Sequence, residues 1–227
     1  ASMTTNAAEL VVVLLGLAAV ALGDWAIPIL AIQILAIDLL AEIMPLTFLT
    51  YDPPPGDVMK TVPRDPKDHI LNRGSSIEVV FLGILIGALS FINYALFMTR
   101  HGVSFTAIGG AGTIDPALAS IYAQATTVTY LTIGFCQFAN ILSRRYEKES
   151  IFNRNFFSNR VILLSILGSV GLILLAIYLP WVRDFLRFHP PSLADWGYVI
   201  GASGVYLAAF EIMKIFKRAR VKRAETG

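Results

Sequence analysis

Three carboxylates lie inside runs of apolar residues, where an isolated charge is expensive to place. Glu9 follows Asn6 by one helical turn, and Asp38 and Glu42 stand four apart, a spacing that puts them on one helix face. Neither run contains a Lys or Arg that could pair with them. A cation from solution is therefore the natural partner, since hard cations such as Ca²⁺ or Na⁺ take carboxylate, amide and carbonyl oxygens. Pro45, three residues after Glu42, removes a helical hydrogen bond and is expected to free a carbonyl near Ile43 or below.

Gln137 and Asn140, three residues apart with Cys136 nearby, offer two more uncharged ligands. Hydrogen bonding between helices accounts for them equally well. Protonated Asp38 and Glu42, bonded to each other or to Gln33, are the bland alternative. A protonated carboxyl at that depth is itself a proton carrier. Glu211, one turn before Lys214, is expected to form an intrahelical pair, and Glu78 to sit at the interface. The small-xxx-small spacing of Gly83 and Gly87 predicts close helix packing.

These residues must be held by helices in a bilayer. The 227-residue chain is 56% hydrophobic and 15% charged, with a mean hydropathy of +0.65. A hydrocarbon core about 30 Å thick takes roughly 20 apolar residues per helix. Six windows qualify, at about 7–22, 25–48, 77–98, 121–142, 161–181 and 196–216. The expected fold is an all-α polytopic bundle of six transmembrane helices. Its first span is short, as though a longer helix had been truncated. A signal peptide ending at Ala21-Leu22-Gly23 is the other reading, but it lacks a basic leading region, because the first Lys or Arg is Lys60. The single cysteine, Cys136, excludes an intrachain disulfide.

Charge gives the orientation. Of the eighteen Lys and Arg residues, fifteen fall in segment 51–76, segment 143–160 or the C-terminal tail, and only Arg100, Arg183 and Arg187 fall on the opposite side. Both termini are thus expected in the cytoplasm of a multi-pass cell-membrane protein. The tail's basic run reads as an anchor beside anionic lipid, with no nucleic-acid role. Gly23-Asp24 leaves room only for a tight turn, so the first two spans should be antiparallel neighbours. Segment 51–76, with Asp52-Pro53-Pro54-Pro55-Gly56-Asp57 and Pro63-Arg64-Asp65-Pro66-Lys67, reads as an ordered cytoplasmic strap of extended backbone.

Several of these segments resemble the C-terminal membrane region of type II P-type cation ATPases, the group of calcium and sodium/potassium pumps. They are Thr5-Asn6-Ala7-Ala8-Glu9, Asp38-Leu39-Leu40-Ala41-Glu42-Ile43-Met44-Pro45 and the strap; further on come Phe138-Ala139-Asn140, Phe157-Ser158-Asn159-Arg160 and Phe210-Glu211-Ile212-Met213-Lys214. The resemblance covers nearly the whole chain. It implies the fifth to tenth helices of a ten-helix pump, with the positions of Asn6, Glu9, Asp38 and Glu42 binding the transported ion, and those of Gln137 and Asn140 contributing from the eighth helix. It further implies partners in the missing N-terminal helices and cytoplasmic domains, and ATP and Mg²⁺ as cofactors of the full-length parent, none belonging to this chain. No Asp-Lys-Thr-Gly-Thr phosphorylation motif is present, so this segment alone is not expected to hydrolyse ATP.

Departures bear on the ion, which could be Na⁺, K⁺, H⁺ or Ca²⁺. Calcium pumps carry Asn at the Asp38 position, Thr at Ala41, Asp at Glu42 and Glu at Gly134. Sodium/potassium pumps share the Asp at the Asp38 position but have Thr and Asp at the next two, and a further Asp at Asn140. Gly134 removes an expected calcium ligand, which favours a monovalent or proton-coupled pump and disfavours a two-calcium site. The competing readings are a self-contained six-span secondary transporter or channel, for which no internal repeat is found, and a non-catalytic membrane fragment.

Overall fold

A computed structural model describes residues 1–23, 26–51, 73–103, 116–145 and 160–225. The Pro-rich strap lies almost wholly outside these residues, as does the turn at Asp24. The described elements are all helical: α1 (Ser2–Gly23), α2 (Ala31–Ala36), a π-helical turn (Ile37–Glu42), α3 (Ile43–Leu49), α4 (Arg73–Arg100), α5 (Pro116–Arg145), α6 (Arg160–Tyr178), α7 (Pro180–Leu186) and α8 (Leu193–Glu225).

Among the described residues five helical stretches are long and apolar enough to cross a bilayer: Ser2–Ala21, Ala31–Leu49, Gly74–Arg100, Arg160–Tyr178 and Leu193–Lys217. Helix α5 has 30 residues, about 45 Å at 1.5 Å per residue, but it carries too many polar groups for that apolar class. Thr126, Thr127, Thr129, Thr132, Gln137 and Asn140 are all buried, because α5 is the hub on which α4, α8 and the π-turn pack. Its threonines return their hydroxyls to the backbone, as Thr129 Oγ1 does to the Ala125 carbonyl at 3.1 Å and Thr132 Oγ1 to Val128 at 2.8 Å. The outer faces are apolar instead, with Leu35, Leu39, Leu164, Leu167 and Ile200 exposed. Lipid, rather than water, is the solvent these faces match.

Residues 26–30, expected within the second span, are not helical. Pro28 lies there, and Leu30 is extended at φ −90°, ψ 148°, so the helix begins at Ala31. The first span packs chiefly on α4, and it also meets the leading segment of the second span, where Gly16 lies against the Pro28 ring. Glycine explains the preference. A Cβ on Gly83 would sit 2.6 Å from Ala7 Cβ, and one on Gly87 would sit 2.6 Å from Val11 Cγ1 and 2.9 Å from the Ala8 carbonyl oxygen. The absence of side chains at both positions lets the two backbones approach, as the spacing predicted.

The far end of the bundle is closed by a polar latch. Asp195, 1% exposed, accepts bonds from Arg100 at 3.2 Å, Gln124 Nε2 at 3.2 Å, and the Ser192 backbone N–H and hydroxyl at 2.8 and 2.7 Å. The Asp195 N–H donates back to Ser192 Oγ at 3.3 Å, a reciprocal cap at the start of α8. Arg187 ends α7 in the left-handed conformation at φ 55°.

Replacing Gly87 with Leu should force α1 and α4 apart and cost about 1–3 kcal/mol. Gly171→Ala, where no atom lies within 4 Å of the new Cβ, should not destabilise. Thermal unfolding of the two purified variants in detergent checks this, and equal melting temperatures would contradict the packing account.

Candidate functional site

The π-turn sits between two α-helical segments of one span. It is held by a wide-register bond from the Ile43 N–H to the Asp38 carbonyl. Such turns insert one residue into the helical ladder and redirect side chains. Pro45 follows within α3 and has no N–H to give, so the Ala41 carbonyl, four residues back, loses its usual donor. The helix is therefore continuous but mis-registered, and the irregularity begins upstream of the proline.

Glu42 ends this turn and is 4% exposed, while Glu9 on α1 is 7% exposed. Asp38 is half-buried and Asn6 is exposed. Asp38 and Glu42 are the carboxylates whose fields reach Glu9. Glu9 Oε1 and, one turn earlier on the same helix, Thr5 Oγ1 are buried without a hydrogen-bond partner, so two oxygens are available to a ligand. Burying such atoms unpaired costs about 1–3 kcal/mol each, and a cation with its preference for oxygen would remove that cost. No three Asp, Glu, His or Cys side chains converge on a metal-sized volume among the described residues. A cation here would therefore need neutral oxygens beside the carboxylates.

Gln137 and Asn140 reach Glu42 as links of one hydrogen-bonded chain. Gln137 Nε2 donates to Glu42 Oε1 at 2.8 Å. Asn140 Nδ2 donates to Gln137 Oε1 at 2.9 Å and to the Ala1 carbonyl at 3.3 Å. Arg144 Nε donates to Asn140 Oδ1 at 3.1 Å, and its NH2 to Thr4 Oγ1 at 3.0 Å. Arg144 NH1 lies 3.5 Å from Glu78 Oε1, and Glu78 also pairs with Lys217. Glu78 is thus in an interhelical ion-pair cluster at the bundle end, and Glu211 pairs with Lys214 at 2.9 Å as expected.

Gln33 is not the carboxylates' partner. Its Nε2 donates to Thr126 Oγ1 at 3.2 Å and to the Arg187 carbonyl at 3.3 Å, and its Oε1 accepts the Leu30 N–H. Cys136 faces α8, with Sγ 3.9 Å from Ser203 Oγ. Gly134 stands opposite Ala41, where a Cβ would be at an ordinary 3.7 Å from Ala41 Cβ. Sequence reasoning missed Thr5, whose hydroxyl lies on the Glu9 face, and Arg144, which it counted only as a loop charge. The signal for Arg144 was its spacing of four and seven residues from Asn140 and Gln137, which places all three on one face of α5.

An all-helical bundle with lipid-matched outer faces, and with buried carboxylates at an irregular helix, defines a polytopic membrane protein with an intramembrane polar site. Residues 26–216 match the family described as cation transporting ATPase, C-terminus. The chain belongs to that family, as the C-terminal membrane region of a type II P-type ATPase. It is 30% identical over 219 residues to Calcium-transporting ATPase 1 of Bacillus cereus, covering 95% of this chain and 24% of that protein. It is 28% identical over 195 residues to Calcium-transporting ATPase type 2C member 1 of Homo sapiens, covering 86% of this chain and 19% of the relative. Potassium-transporting ATPase alpha chain 1 of Xenopus laevis is 25% identical over 190 residues, covering 75% and 18% respectively. The chain thus spans a quarter or less of the length of these relatives.

Removing one partner of the buried Glu42–Gln137 bond should cost about 1–3 kcal/mol, and removing both should cost less than the sum. Glu42→Leu, Gln137→Leu and the double variant, compared by thermal unfolding, check this. Strict additivity would mean the two side chains are not coupled.

Proposed function

We propose that this chain is the membrane transport part of an ATP-driven cation pump, and that Glu9, Asp38 and Glu42 supply the charged ligands of its cation. The observation that carries the reading is Glu42: a carboxylate 4% exposed, at the end of a π-turn, with no Lys or Arg at ion-pair distance among the described residues and one amide as its donor. Glu9 Oε1 and Thr5 Oγ1, both buried and unpartnered, and the Ala41 carbonyl beside Pro45 supply further oxygen. Asn6 stands at the outer edge of the same helix face. Gln137 and Asn140 join the site through Glu42.

Six spans are proposed, α5 being the sixth, shielded by its neighbours and so free to be polar. The end carrying Glu78, Arg144, Lys214 and Lys217 is proposed as cytoplasmic, because the basic segments gather there. Hydrolysis of ATP with Mg²⁺ belongs to the full-length protein and would act on this bundle from that side. Calcium leads the test because two of the three relatives are named for it. Gly134 and the small number of carboxylates support a single cation site, and the name of the third relative puts K⁺ in the same trial.

The test is ATP hydrolysis by the full-length protein against Ca²⁺, Na⁺ and K⁺ concentration. Asp38→Asn and Glu42→Gln should each raise the half-saturating concentration of the transported ion at least tenfold, on the order of one lost charged ligand. Ion dependence unchanged in both variants would overturn the assignment.

A further inference from the structure

The hydrogen-bond chain from Arg144 to Glu42 has a direction, and its two ends dictate it. A guanidinium can only donate, and an ionised carboxylate can only accept. Arg144 therefore requires Asn140 to present its oxygen (Nε to Oδ1, 3.1 Å), which leaves the Asn140 amide N–H groups to face Gln137. Gln137 must then accept through Oε1 at 2.9 Å, and its own NH2 is left for Glu42 Oε1 at 2.8 Å. Reversing either amide would set donor against donor at Arg144 or acceptor against acceptor at Glu42. Gln137 and Asn140 are both fully buried, so water cannot relieve such a mismatch, and an unmade bond there carries its full penalty.

From this we propose that Arg144 is a positioning residue that sets the cation specificity of the site: it turns the oxygens of Asn140 and Gln137 away from Glu42, so that α5 contributes a hydrogen-bond donor in place of cation ligands. The inference rests on the cation-site reading of Glu42 given above. A cation approaching Glu42 competes with the Gln137 N–H for Oε1 and finds no amide oxygen on that side. The site therefore offers fewer oxygens than its residue types suggest, which suits one ion bound through few ligands. Arg144 is itself well anchored for this role, through Thr4 Oγ1 at 3.0 Å and Glu78 at 3.5 Å. Its guanidinium also lies 5.8 Å from the centre of the Phe210 ring.

Removal of the guanidinium frees Asn140 Oδ1 and permits the chain to reverse, at the loss of the 3.3 Å bond from Asn140 Nδ2 to the Ala1 carbonyl, so that Gln137 Oε1 can turn to the ion. In the full-length protein, Arg144→Met should lower the half-saturating concentration of the activating cation about tenfold, the worth of exchanging one opposed donor for one ligand. The same shift should appear in ion-dependent protection against thermal unfolding, which does not require turnover. Arg144→Lys, still a donor only, should return the value towards that of the parent. In a Gln137→Leu background Arg144→Met should change the value less than about twofold, because the chain is already cut.

An unchanged ion dependence in Arg144→Met would overturn the proposal. So would a shift of equal size in the Gln137→Leu background, since that would be the effect of removing a positive charge and not of the chain. If Arg144→Met does not fold, Asn140→Leu cuts the same chain while leaving the bonds from Arg144 to Thr4 and Glu78. A gain in ion affinity is expected there too, and its absence would equally overturn the proposal. Glu42→Gln separates the two levels. Unchanged ion dependence in that variant sinks the cation-site reading, whereas a shift in Glu42→Gln with none in Arg144→Met sinks only the role given to Arg144.

Discussion

A carboxylate held at bilayer depth must find its partners within the protein, and the arrangement around Glu42 follows from that requirement. The Glu42 side chain is 4% exposed. The donor comes from Gln137, which in turn obliges α5 to lie against the π-turn and to carry amides where a lipid-facing helix would carry leucine. Helix α5 can be polar only because α4, α8 and the interrupted span surround it. The bundle is thus built outwards from a polar hub, with its apolar residues turned to lipid.

Backbone geometry serves the same end. The π-turn gives up regular register for the exit angles of Asp38 and Glu42, and Pro45 withholds a donor from the Ala41 carbonyl. Such irregularity is tolerable at this depth only where it is buried in protein. Close approach of α1 to α4 through Gly83 and Gly87 steadies the helix that carries Thr5 and Glu9, and the Asp195 latch ties α4 and α5 to the start of α8 at the opposite end. The two ends of the bundle are closed by ion pairs, and the unpartnered oxygens lie between them.

Membership of the cation transporting ATPase C-terminal family agrees with a reading made from the carboxylates alone. The departures remain informative. Gly134 faces Ala41 across a gap with room for one further carbon, and Asn140 is committed to Arg144. Both features reduce the oxygen count near Glu42 on the α5 side.

Much of this was legible in the residues themselves. Apolar run length located the helices, the missing Lys and Arg in two of those runs marked Glu9, Asp38 and Glu42 as unusual, and the Gly83/Gly87 spacing announced a tight helix pair. The Glu211–Lys214 pair also followed from spacing. These are local properties, decided by what one helix turn or one bilayer thickness permits. Three things depended on the tertiary structure. One was that α1 packs chiefly on α4, because Gly83 and Gly87 let those two backbones approach. Another was that the helix beside Pro45 is mis-registered and unbroken. The last was that Gln137 presents a hydrogen to Glu42 and Asn140 one to Gln137, because the direction of an amide is set by its partners, and Arg144 and Glu42 come to the two ends of one chain only when α5 packs against the π-turn.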